Sequence, residues 1–464
     1  MINVEEVLRE VPSFRTFCSV EKLQTLVETL RADSSFEIEE AGKSENGRPI
    51  HHVRFGTGSL KAMFVGFPHP NEPIGGLTVF SLLTLLSQRN RALIDADVEW
   101  HIVPCIDPDG AMLNEGWSQK AFTLERYMRN FHRQEMRDQV ECSFPIRYKR
   151  LEFNRPIKET RILMGLLTQV RPDFYYSLHN NSGAGGAWLL LTRDIGQKYH
   201  RELYKLLETY RIPLQVTEPF RAGWLTRFGE GIYENFSTTK MYDLFEQTTS
   251  SPEGSLQRGA MSFDYIAQLK DSAMSFVSEL PYVRHPSAGS KKETTQNLRQ
   301  LKLRMDADNK FVATLILEEW EKVKGDLDSS SPFYRKIVAG IISAKEKLPE
   351  GLRTWPAMTQ DILFNPAYGK KATEGERFDV YLIDRFFALC HSYEFVRLLR
   401  ASTQTPAVRQ AAERLERVFD EALRELAKEI DLDEFEVLDC DSLARVQFGA
   451  GLIVLNSVLE SKAS

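Results

Sequence analysis

Apolar and polar positions follow two different patterns along this chain. Between residues 33 and 290, short apolar runs bounded by polar turn residues alternate with stretches in which apolar residues recur at helical spacing. Short apolar runs predict buried strands, and strands interleaved with helices predict an α/β fold with a mixed, twisted sheet flanked by helices. The predicted strands are 36–40, 50–55, 62–67, 98–104, 174–179, 188–191 and 275–280, the first two joined by a hairpin turn at Asn46-Gly47.

The same pattern predicts three segments. Residues 1–32 carry apolar residues at helical spacing and form an N-terminal helical segment, and residues 33–290 hold the strands. After a polar stretch near residue 290 the pattern becomes mainly helical, so residues 291–464 are predicted to form a helical domain. Its clearest helix starts at Thr405-Pro406, an N-cap followed by a proline at the first helical position. We expect this domain to pack on the strand-containing one or to support a homo-oligomer.

Composition limits the classes of function. The 464 residues are 42% hydrophobic and 27% charged, as in ordinary globular proteins. A net charge of −6 without a basic stripe argues against nucleic-acid binding. The first residues lack the basic and apolar regions of a signal peptide, and no uninterrupted apolar run approaches the ~20 residues of a membrane span, so neither is predicted. Five scattered cysteines predict reduced thiols rather than a disulfide framework, which makes the cytoplasm the expected location.

The most informative chemical signal is the stretch His69-Pro70-Asn71-Glu72, which follows the predicted strand 62–67. Prolines at positions 68, 70 and 73 exclude a helix there and stiffen the loop. A neutral imidazole and a carboxylate both suit zinc, and a catalytic zinc needs three protein ligands. We therefore expect His69 and Glu72 to bind a metal together with a third ligand from elsewhere in the chain.

The same His-x-x-Glu spacing recurs at His391 and Glu394. Apolar residues surround this second copy at helical spacing, so we interpret it as an ordinary helix face rather than a metal site. The spacing by itself carries little information. The position at a strand end is what distinguishes His69 and Glu72.

His179 is the expected third ligand, because it ends the predicted strand 174–179 and precedes a polar, glycine-rich loop. Open α/β sheets place ligand sites at the carboxyl ends of their strands, which lie along one edge, so His179 can meet His69 there. Glu279, near the end of the apolar strand 275–280, is the expected general base. It would take a proton from a zinc-bound water, whose pKa the metal lowers to ~7, as that water attacks a carbonyl.

Taken in order, these residues resemble the zinc carboxypeptidases of the carboxypeptidase A type, and especially a bacterial subgroup with a His-Pro-Asn-Glu motif. The family pattern runs His-x-x-Glu, Pro-Asp-Gly, Arg-x-x-Arg, Asn-Arg, a strand-end His and a late Glu in a strand. This chain supplies the members in the same order between residues 64 and 282: His69 and Glu72, Pro108-Asp109-Gly110, Arg126 and Arg129, Asn154-Arg155, His179 and Glu279.

The resemblance implies a function and further site residues. It implies a metallocarboxypeptidase that holds one zinc ion per chain and cleaves a C-terminal peptide or amide bond. Arg129 would polarise the scissile carbonyl and stabilise the developing oxyanion. Asn154 and Arg155 would hold the terminal carboxylate of a peptide or amidated amino-acid substrate. Phe263, in a segment that resembles the pocket for the C-terminal side chain, would give that pocket an apolar floor.

Two departures from the family pattern leave the substrate open. The stretch 253–257 lacks the mobile tyrosine of the familiar members, and the spacing from Arg155 to His179 is short. An N-acyl amino-acid deacylase of the aspartoacylase or succinylglutamate desuccinylase kind shares the His-x-x-Glu, His and Glu skeleton and is the second hypothesis. The third hypothesis is a degenerate, non-catalytic hydrolase that serves as a binding protein through residues 295–464.

Overall fold

A computed structural model describes residues 1–181, 185–215, 225–247, 251–256, 258–347, 362–431 and 434–463. Its strands are, in chain order, β1 (Phe36–Lys43), β2 (Pro49–Phe55), β3 (Leu60–Val65), β4 (Val98–Val103), β5 (Ile146–Tyr148), β6 (Leu151–Phe153), β7 (Phe174–Ser177), β8 (Trp188–Leu191), β9 (Arg227–Gly229), β10 (Ile232–Glu234), β11 (Met274–Glu279), β12 (Val283–Arg284), β13 (Glu293–Asn297), β14 (Lys371–Thr373) and β15 (Glu436–Val437).

The α-helices surround these strands and dominate the last third of the chain. They are α1 (Val4–Arg9), α2 (Val20–Leu30), α3 (Ile74–Ser87), α4 (Arg91–Ile94), α5 (Pro108–Met112), α6 (Glu115–Ser118), α7 (Leu124–Asn130), α8 (Lys158–Val170), α9 (Gln197–Thr209), α10 (Thr238–Glu246), α11 (Pro252–Leu256), α12 (Ser262–Leu269), α13 (Leu298–Val323), α14 (Tyr334–Lys347), α15 (Glu374–Asp379), α16 (Phe387–Ala401), α17 (Pro406–Glu429) and α18 (Cys440–Ala463). A π-helical stretch, Val380–Phe386, joins α15 to α16.

Nine strands form one mixed sheet in the order β1-β2-β4-β3-β7-β11-β8-β10-β9. The central strands β4, β3, β7 and β11 are parallel, and their register aligns Val103, Val65, Ser177 and Val277 at one level. The loops that follow therefore leave the sheet along one edge, which is where ligand sites form in such sheets. The predicted fold class, a mixed twisted sheet flanked by helices with a mainly helical C-terminal region, is confirmed.

Side chains from the two faces of the sheet enter two separate cores, because successive residues of a strand point to opposite sides. Phe64 and Tyr176 belong to the larger core, which also takes in α3, α18 and the helices after residue 298. Met63 and Tyr175 belong to the smaller core, which includes residues of α8 and α12. The functional edge of the sheet is thus fixed from both sides.

The last helix is part of the layer that covers the sheet. α18 packs on α3 and α9, and the hydroxyl of Tyr176 in β7 donates to the backbone carbonyl of Gln447 at 2.9 Å. The side chain of Asn456 bonds to both backbone groups of Ile2, at 2.8 and 2.9 Å. The predicted division into segments 1–32, 33–290 and 291–464 stays a prediction, and the first and third of these segments meet on the sheet of the second.

α18 is also long and apolar enough to span a membrane by length and composition alone. Its segment Cys440–Lys462 reaches a mean hydropathy of 1.4 over an 18-residue window, although no such span was predicted from the sequence. In the structure 83% of that window is buried inside the protein. Packing against the sheet and α3 accounts for this apolar composition, as in the core helix of a globular protein.

Candidate metal centre

The loop that carries His69 and Glu72 leaves β3 through a strained residue. Phe67 has a φ of +56°, in the left-handed region that non-glycine residues rarely adopt. Residues 66–79 are all buried, and Pro73 is the N-cap of α3. Because the prolines and the surrounding core fix the loop, His69 and Glu72 are presented to the edge of the sheet without freedom to move.

His179 lies two residues beyond the end of β7 and meets this loop. Its Nδ1 is 3.0 Å from Oε2 of Glu72, and its ring lies at a centroid distance of 5.0 Å from the ring of His69. One ligand atom from each of His69, Glu72 and His179 falls within 4.8 Å of the others, and all three residues are buried. The structure therefore brings together the three predicted ligands from two distant parts of the chain.

The chemistry of these three side chains fits a zinc ion. Two imidazoles and one carboxylate form a donor set of the kind found in catalytic zinc sites. The Nδ1 atom of His69 is buried and has no hydrogen-bond partner among the residues that the structure describes. Burial, together with the nearby charges of Arg133, His179 and Arg258, holds the pKa of His69 well below its ordinary value of 6.5. A lowered pKa favours the neutral imidazole, which is the form that binds a metal.

Glu279 ends β11 next to His179. One of its carboxylate oxygens lies 3.9 Å from Nδ1 of His179, and its side chain remains 21% exposed. Burial and the neighbouring carboxylate of Glu72 raise the pKa of Glu279 to about 7, against the opposing effect of His179 and Arg133. A carboxylate with a raised pKa that still reaches solvent suits acid–base chemistry near neutral pH.

A second acid, Glu141, lies on the other side of His179. One of its oxygens is 3.9 Å from Nε2 of His179 and accepts hydrogen bonds from the hydroxyls of Ser177 at 2.7 Å and Ser262 at 2.8 Å. The other oxygen accepts from the backbone N–H of Ser262 at 3.0 Å. Burial would lower the pKa of His179, but Glu72, Glu279 and Glu141 together raise it to about 9. No sequence motif pointed to Glu141, because it lies in a short 3₁₀ turn outside the family pattern.

The structure does not bring Arg129 to the metal ligands, which corrects the predicted assignment. Its guanidinium contacts Glu125 at 2.9 Å, Asp420 at 2.6 Å and the hydroxyl of Tyr393 at 2.6 Å, so it faces the C-terminal helices. Arg133 lies at the site instead, where its Nη1 donates to Oε1 of Glu72 at 3.2 Å. The segment after α7 is extended, and its turn toward the sheet is a tertiary feature that the spacing of arginines does not encode.

The predicted substrate residues have different environments. Asn154 and Arg155 are exposed immediately after β6 and have no contact with the ligand cluster among the described residues, so their role stays a prediction. Phe263 is buried in α12 and packs edge-to-face on Phe236 at 6.0 Å. Whether Phe263 forms the floor of a substrate pocket likewise stays a prediction.

Gln447 in α18 holds the backbone of the third ligand, His179. Gln447 is fully buried, and its side-chain amide donates to the backbone carbonyl of His179 at 2.8 Å. Its side-chain oxygen accepts from the hydroxyl of Thr78 in α3 at 2.9 Å. Gln447 therefore links the helix that follows the first ligand pair to the strand end that carries the third ligand.

The second His-x-x-Glu copy belongs to a buried polar cluster on α16. Glu394 is fully buried, pairs with Lys336, and accepts from the backbone N–H of Arg133 at 3.1 Å. Nδ1 of His391 accepts from the ammonium of Lys336 at 2.7 Å, and burial with the charge of Lys336 holds the pKa of His391 well below 6.5. His391 and Glu394 are therefore not an ordinary helix face. Both contact Lys336, and Glu394 also positions the backbone of Arg133.

The α/β sheet with a buried His–Glu–His cluster at the ends of its parallel strands defines a metallopeptidase-type hydrolase as the class of protein. Residues 23–253 match the family model described as zinc carboxypeptidase. The chain thus belongs, through this domain, to the zinc carboxypeptidase family, as its resemblance to that family predicted. The matched stretch contains all three metal-ligand candidates, whereas Glu279 lies beyond its end.

Among solved structures, the chain is similar to a metallo-carboxypeptidase from Burkholderia cenocepacia (14% identity over 57% of this chain and 60% of that chain, TM-score 0.35). It is similar to carboxypeptidase A from Helicoverpa armigera (14% identity, 60% and 70% coverage, TM-score 0.38). It is also similar to a metallo-carboxypeptidase from Pseudomonas aeruginosa in complex with (2-guanidinoethylmercapto)succinic acid (14% identity, 57% and 60% coverage, TM-score 0.33). No curated protein matches the sequence.

Proposed function

We propose that this protein is a zinc-dependent hydrolase that cleaves a C-terminal peptide or amide bond. The observation that supports this function is the convergence of ligand atoms from His69, Glu72 and His179 within 4.8 Å, with Glu279 beside them. Membership of the zinc carboxypeptidase family agrees with it. The chemistry that zinc supplies when bound is that of a Lewis acid, which polarises a carbonyl and lowers the pKa of water to ~7.

Glu279 acts as general base and then as general acid. Its carboxylate accepts a proton from the attacking water and returns it to the leaving amine. Arg133 takes the role that the sequence assigned to Arg129, because its guanidinium reaches Glu72 and therefore borders the reacting centre. It stabilises the negative charge that develops on the carbonyl oxygen.

The first test is metal analysis combined with turnover. Purified wild type should contain about one zinc per chain and hydrolyse blocked dipeptides, His69→Ala should lose the metal, and Glu279→Gln should keep it. Loss of a general base lowers kcat by about 10²–10⁴-fold. The pair of variants separates metal binding from proton transfer, because both remove activity and only one removes zinc. A folded wild type that binds no zinc under any loading condition contradicts the proposal.

The substrate is tested on a panel. Blocked dipeptides are compared with N-acyl amino acids, using the zinc-loaded wild type and Glu279→Gln as the blank. A higher kcat/KM on the dipeptides supports a carboxypeptidase, and a higher kcat/KM on the N-acyl amino acids supports the deacylase. Turnover of neither class, with zinc bound, favours a non-catalytic binding protein.

A further inference from the structure

A cavity of about 300 Å³ lies in the mainly helical region, between α13, α14 and α16. Its walls are largely apolar and include Ile316, Ile337 and Leu389, whereas Lys336 and His391 are among its polar lining residues. No carboxylate lines it within the part of the chain that the structure describes. Small-molecule sites combine apolar walls with a few polar groups in this way, and their volumes start at about 300 Å³.

Lys336 brings a charged ammonium group to this cavity. Its Nζ donates to Nδ1 of His391 at 2.7 Å and pairs with the fully buried carboxylate of Glu394. An ammonium carries three N–H donors, and the described residues accept from two of them. One donor of Lys336 is therefore available to an acceptor that enters the cavity.

The contact with Lys336 also determines which ring nitrogen of His391 carries hydrogen. Because an ammonium can only donate, Nδ1 of His391 accepts, and a neutral ring then carries its hydrogen on Nε2. Burial and the charge of Lys336 favour this neutral ring by holding the pKa of His391 well below 6.5. Nε2 has no hydrogen-bond partner among the described residues, so His391 offers a second N–H donor beside that of Lys336.

The charges around Glu394 do not balance. This single carboxylate acts on the charges of both Lys336 and Arg397. Arg397 donates to three backbone carbonyls and has no carboxylate within ion-pair distance among the described residues. The three side chains together therefore carry one positive charge in excess. A buried charge without a counter-charge is costly, so an anion in the cavity would be stabilised rather than excluded.

We propose that this cavity binds a small carboxylate with an apolar tail, with its carboxylate at Lys336 and His391 and its tail between α13 and α14. At about 30 Å³ for each water-sized group, the cavity takes about ten non-hydrogen atoms. A medium-chain fatty acid such as octanoate has this size and this chemistry. The site is independent of the proposed hydrolase function, because no metal-ligand residue lines it.

Calorimetry on the zinc-loaded wild type compares three probes of equal length: sodium octanoate, 1-octanol and octylammonium chloride. Octanoate should bind at one site per chain with a dissociation constant at least about 10-fold lower than that of 1-octanol, because only the carboxylate makes charge-assisted hydrogen bonds. Octylammonium should bind more weakly than either. Octanoate that binds no more tightly than 1-octanol overturns the proposal.

Gly340 allows the cavity to be filled without removing a polar group. It lines the cavity, and a Cβ added to it would meet no atom within 4 Å. Leucine is also a better helix former than glycine inside α14, so Gly340→Leu should unfold at no lower temperature than the wild type. Its affinity for octanoate should fall at least about 10-fold, because the tail loses its space.

Gly165→Leu is the matched control for this substitution. Gly165 lies inside α8, away from the cavity, and a Cβ there is equally free of neighbours. This variant should bind octanoate as the wild type does. Octanoate binding that is unchanged in Gly340→Leu would place the probe elsewhere on the protein and overturn the proposal.

Two further variants locate the carboxylate of the probe. Lys336→Met should bind octanoate at least about 10-fold more weakly and bind 1-octanol unchanged. It should also unfold at a lower temperature, since Glu394 loses its counter-charge, and Gly340→Leu provides the test that does not depend on this loss. His69→Ala should bind octanoate like the wild type. Loss of binding in His69→Ala would place the carboxylate at the candidate metal centre and overturn the proposal.

Discussion

At the scale of single residues, the candidate metal centre depends on buried side chains with few other hydrogen-bond partners within reach. Nδ1 of His69 lacks a partner among the described residues, while Glu72 is held by His179, Arg133 and the backbone of Asn180. The strained backbone of Phe67 begins the loop that carries both ligands. Strain of this kind persists only where surrounding packing enforces it, and it is common at functional sites.

The contrast between Arg133 and Arg129 leads to a direct prediction. Arg133→Gln should lower kcat/KM by about 10²–10³-fold, the usual cost of losing one oxyanion donor, with the zinc content unchanged. Arg129→Gln should leave kcat/KM within about 3-fold, because its guanidinium contacts Asp420 and Tyr393 on the C-terminal helices. Steady-state kinetics and metal analysis of both variants check this. The reverse ranking of the two variants would restore the assignment made from the sequence.

Residue identities in the motif were predictable, and their surroundings were not. His69, Glu72 and His179 follow strands whose carboxyl ends must share one edge, so local pattern and sheet geometry were enough to predict that they meet. Arg133 and Glu141 reach the metal-ligand residues through contacts between segments that carry no local signal. Nothing in an Arg-x-x-Arg spacing indicates that the arginine that reaches Glu72 is the one four residues further on.

At the scale of elements, seven of the fifteen strands that the structure describes were predicted, each to within three residues at either end. The hairpin with its turn at Gly47, the strands β3, β4, β7, β8 and β11 and the helix beginning at Pro406 agree with the predictions. The predicted strand 174–179 ends at Ser177, so His179 stands in the loop after it. Periodicity defines such elements well, whereas the partner of each element depends on distant sequence.

Gln447 allows a test of whether α18 stabilises the candidate metal site. Gln447→Leu should lower the free energy of unfolding by about 2–5 kcal/mol, since it leaves the carbonyl of His179 and the hydroxyl of Thr78 buried without partners. It should also weaken zinc affinity, because the strand end that carries His179 loses its anchor. Denaturant unfolding and a chelator competition measure the two effects.

The same helix supplies a matched control for this prediction. Asn456 is a buried amide whose two hydrogen bonds go to the backbone of Ile2, away from the metal ligands. Asn456→Leu should cost a similar free energy of unfolding and leave zinc affinity unchanged. Equal zinc affinities in both variants would show that Gln447 is a packing residue only.

At the scale of the whole molecule, the mainly helical C-terminal region is joined to the α/β domain by buried hydrogen bonds. Glu394 on α16 fixes the backbone of Arg133, and Arg397 on the same helix donates to the carbonyls of Asn130 and Phe131. The predicted boundary at residue 291 marks a change from an alternating strand and helix pattern to a mainly helical one. The contacts that cross it show why a sequence pattern alone does not reveal which segments depend on each other.

The pH dependence of stability follows from a buried acid near the site. Burial raises the pKa of Asp107 to about 7, with Glu159 and Asp109 adding to the shift and hydrogen bonds from Gly110 and Gln134 opposing it. Between its ordinary value of 3.8 and about 7, the folded protein binds more protons at Asp107 than the unfolded chain does. Stability contributed by this group is therefore complete at low pH and is lost as the pH rises through that window.

Replacing Asp107 should make the free energy of unfolding less dependent on pH. The free energy of unfolding attributable to Asp107 should fall by up to about 4 kcal/mol from pH 4 to pH 8, at roughly 1.4 kcal/mol per pKa unit. Asp107→Asn should reduce that fall, whereas Asp97→Asn, at an exposed carboxylate whose pKa is lowered by Ser59, should leave the slope in this window unchanged. Urea unfolding at several pH values compares the three proteins. Identical slopes for wild type and Asp107→Asn would contradict the assignment.

The hydrogen bond from Gln447 to His179 has a consequence for biosynthesis. A ribosome adds the third ligand, His179, 268 residues before it reaches Gln447, whose side chain binds the carbonyl of that ligand. A nascent chain that already contains all three zinc ligands therefore needs α18 before it can bind zinc stably. Premature termination shortly before that helix should yield products that hold the whole family-matched stretch and still fail to retain the ion.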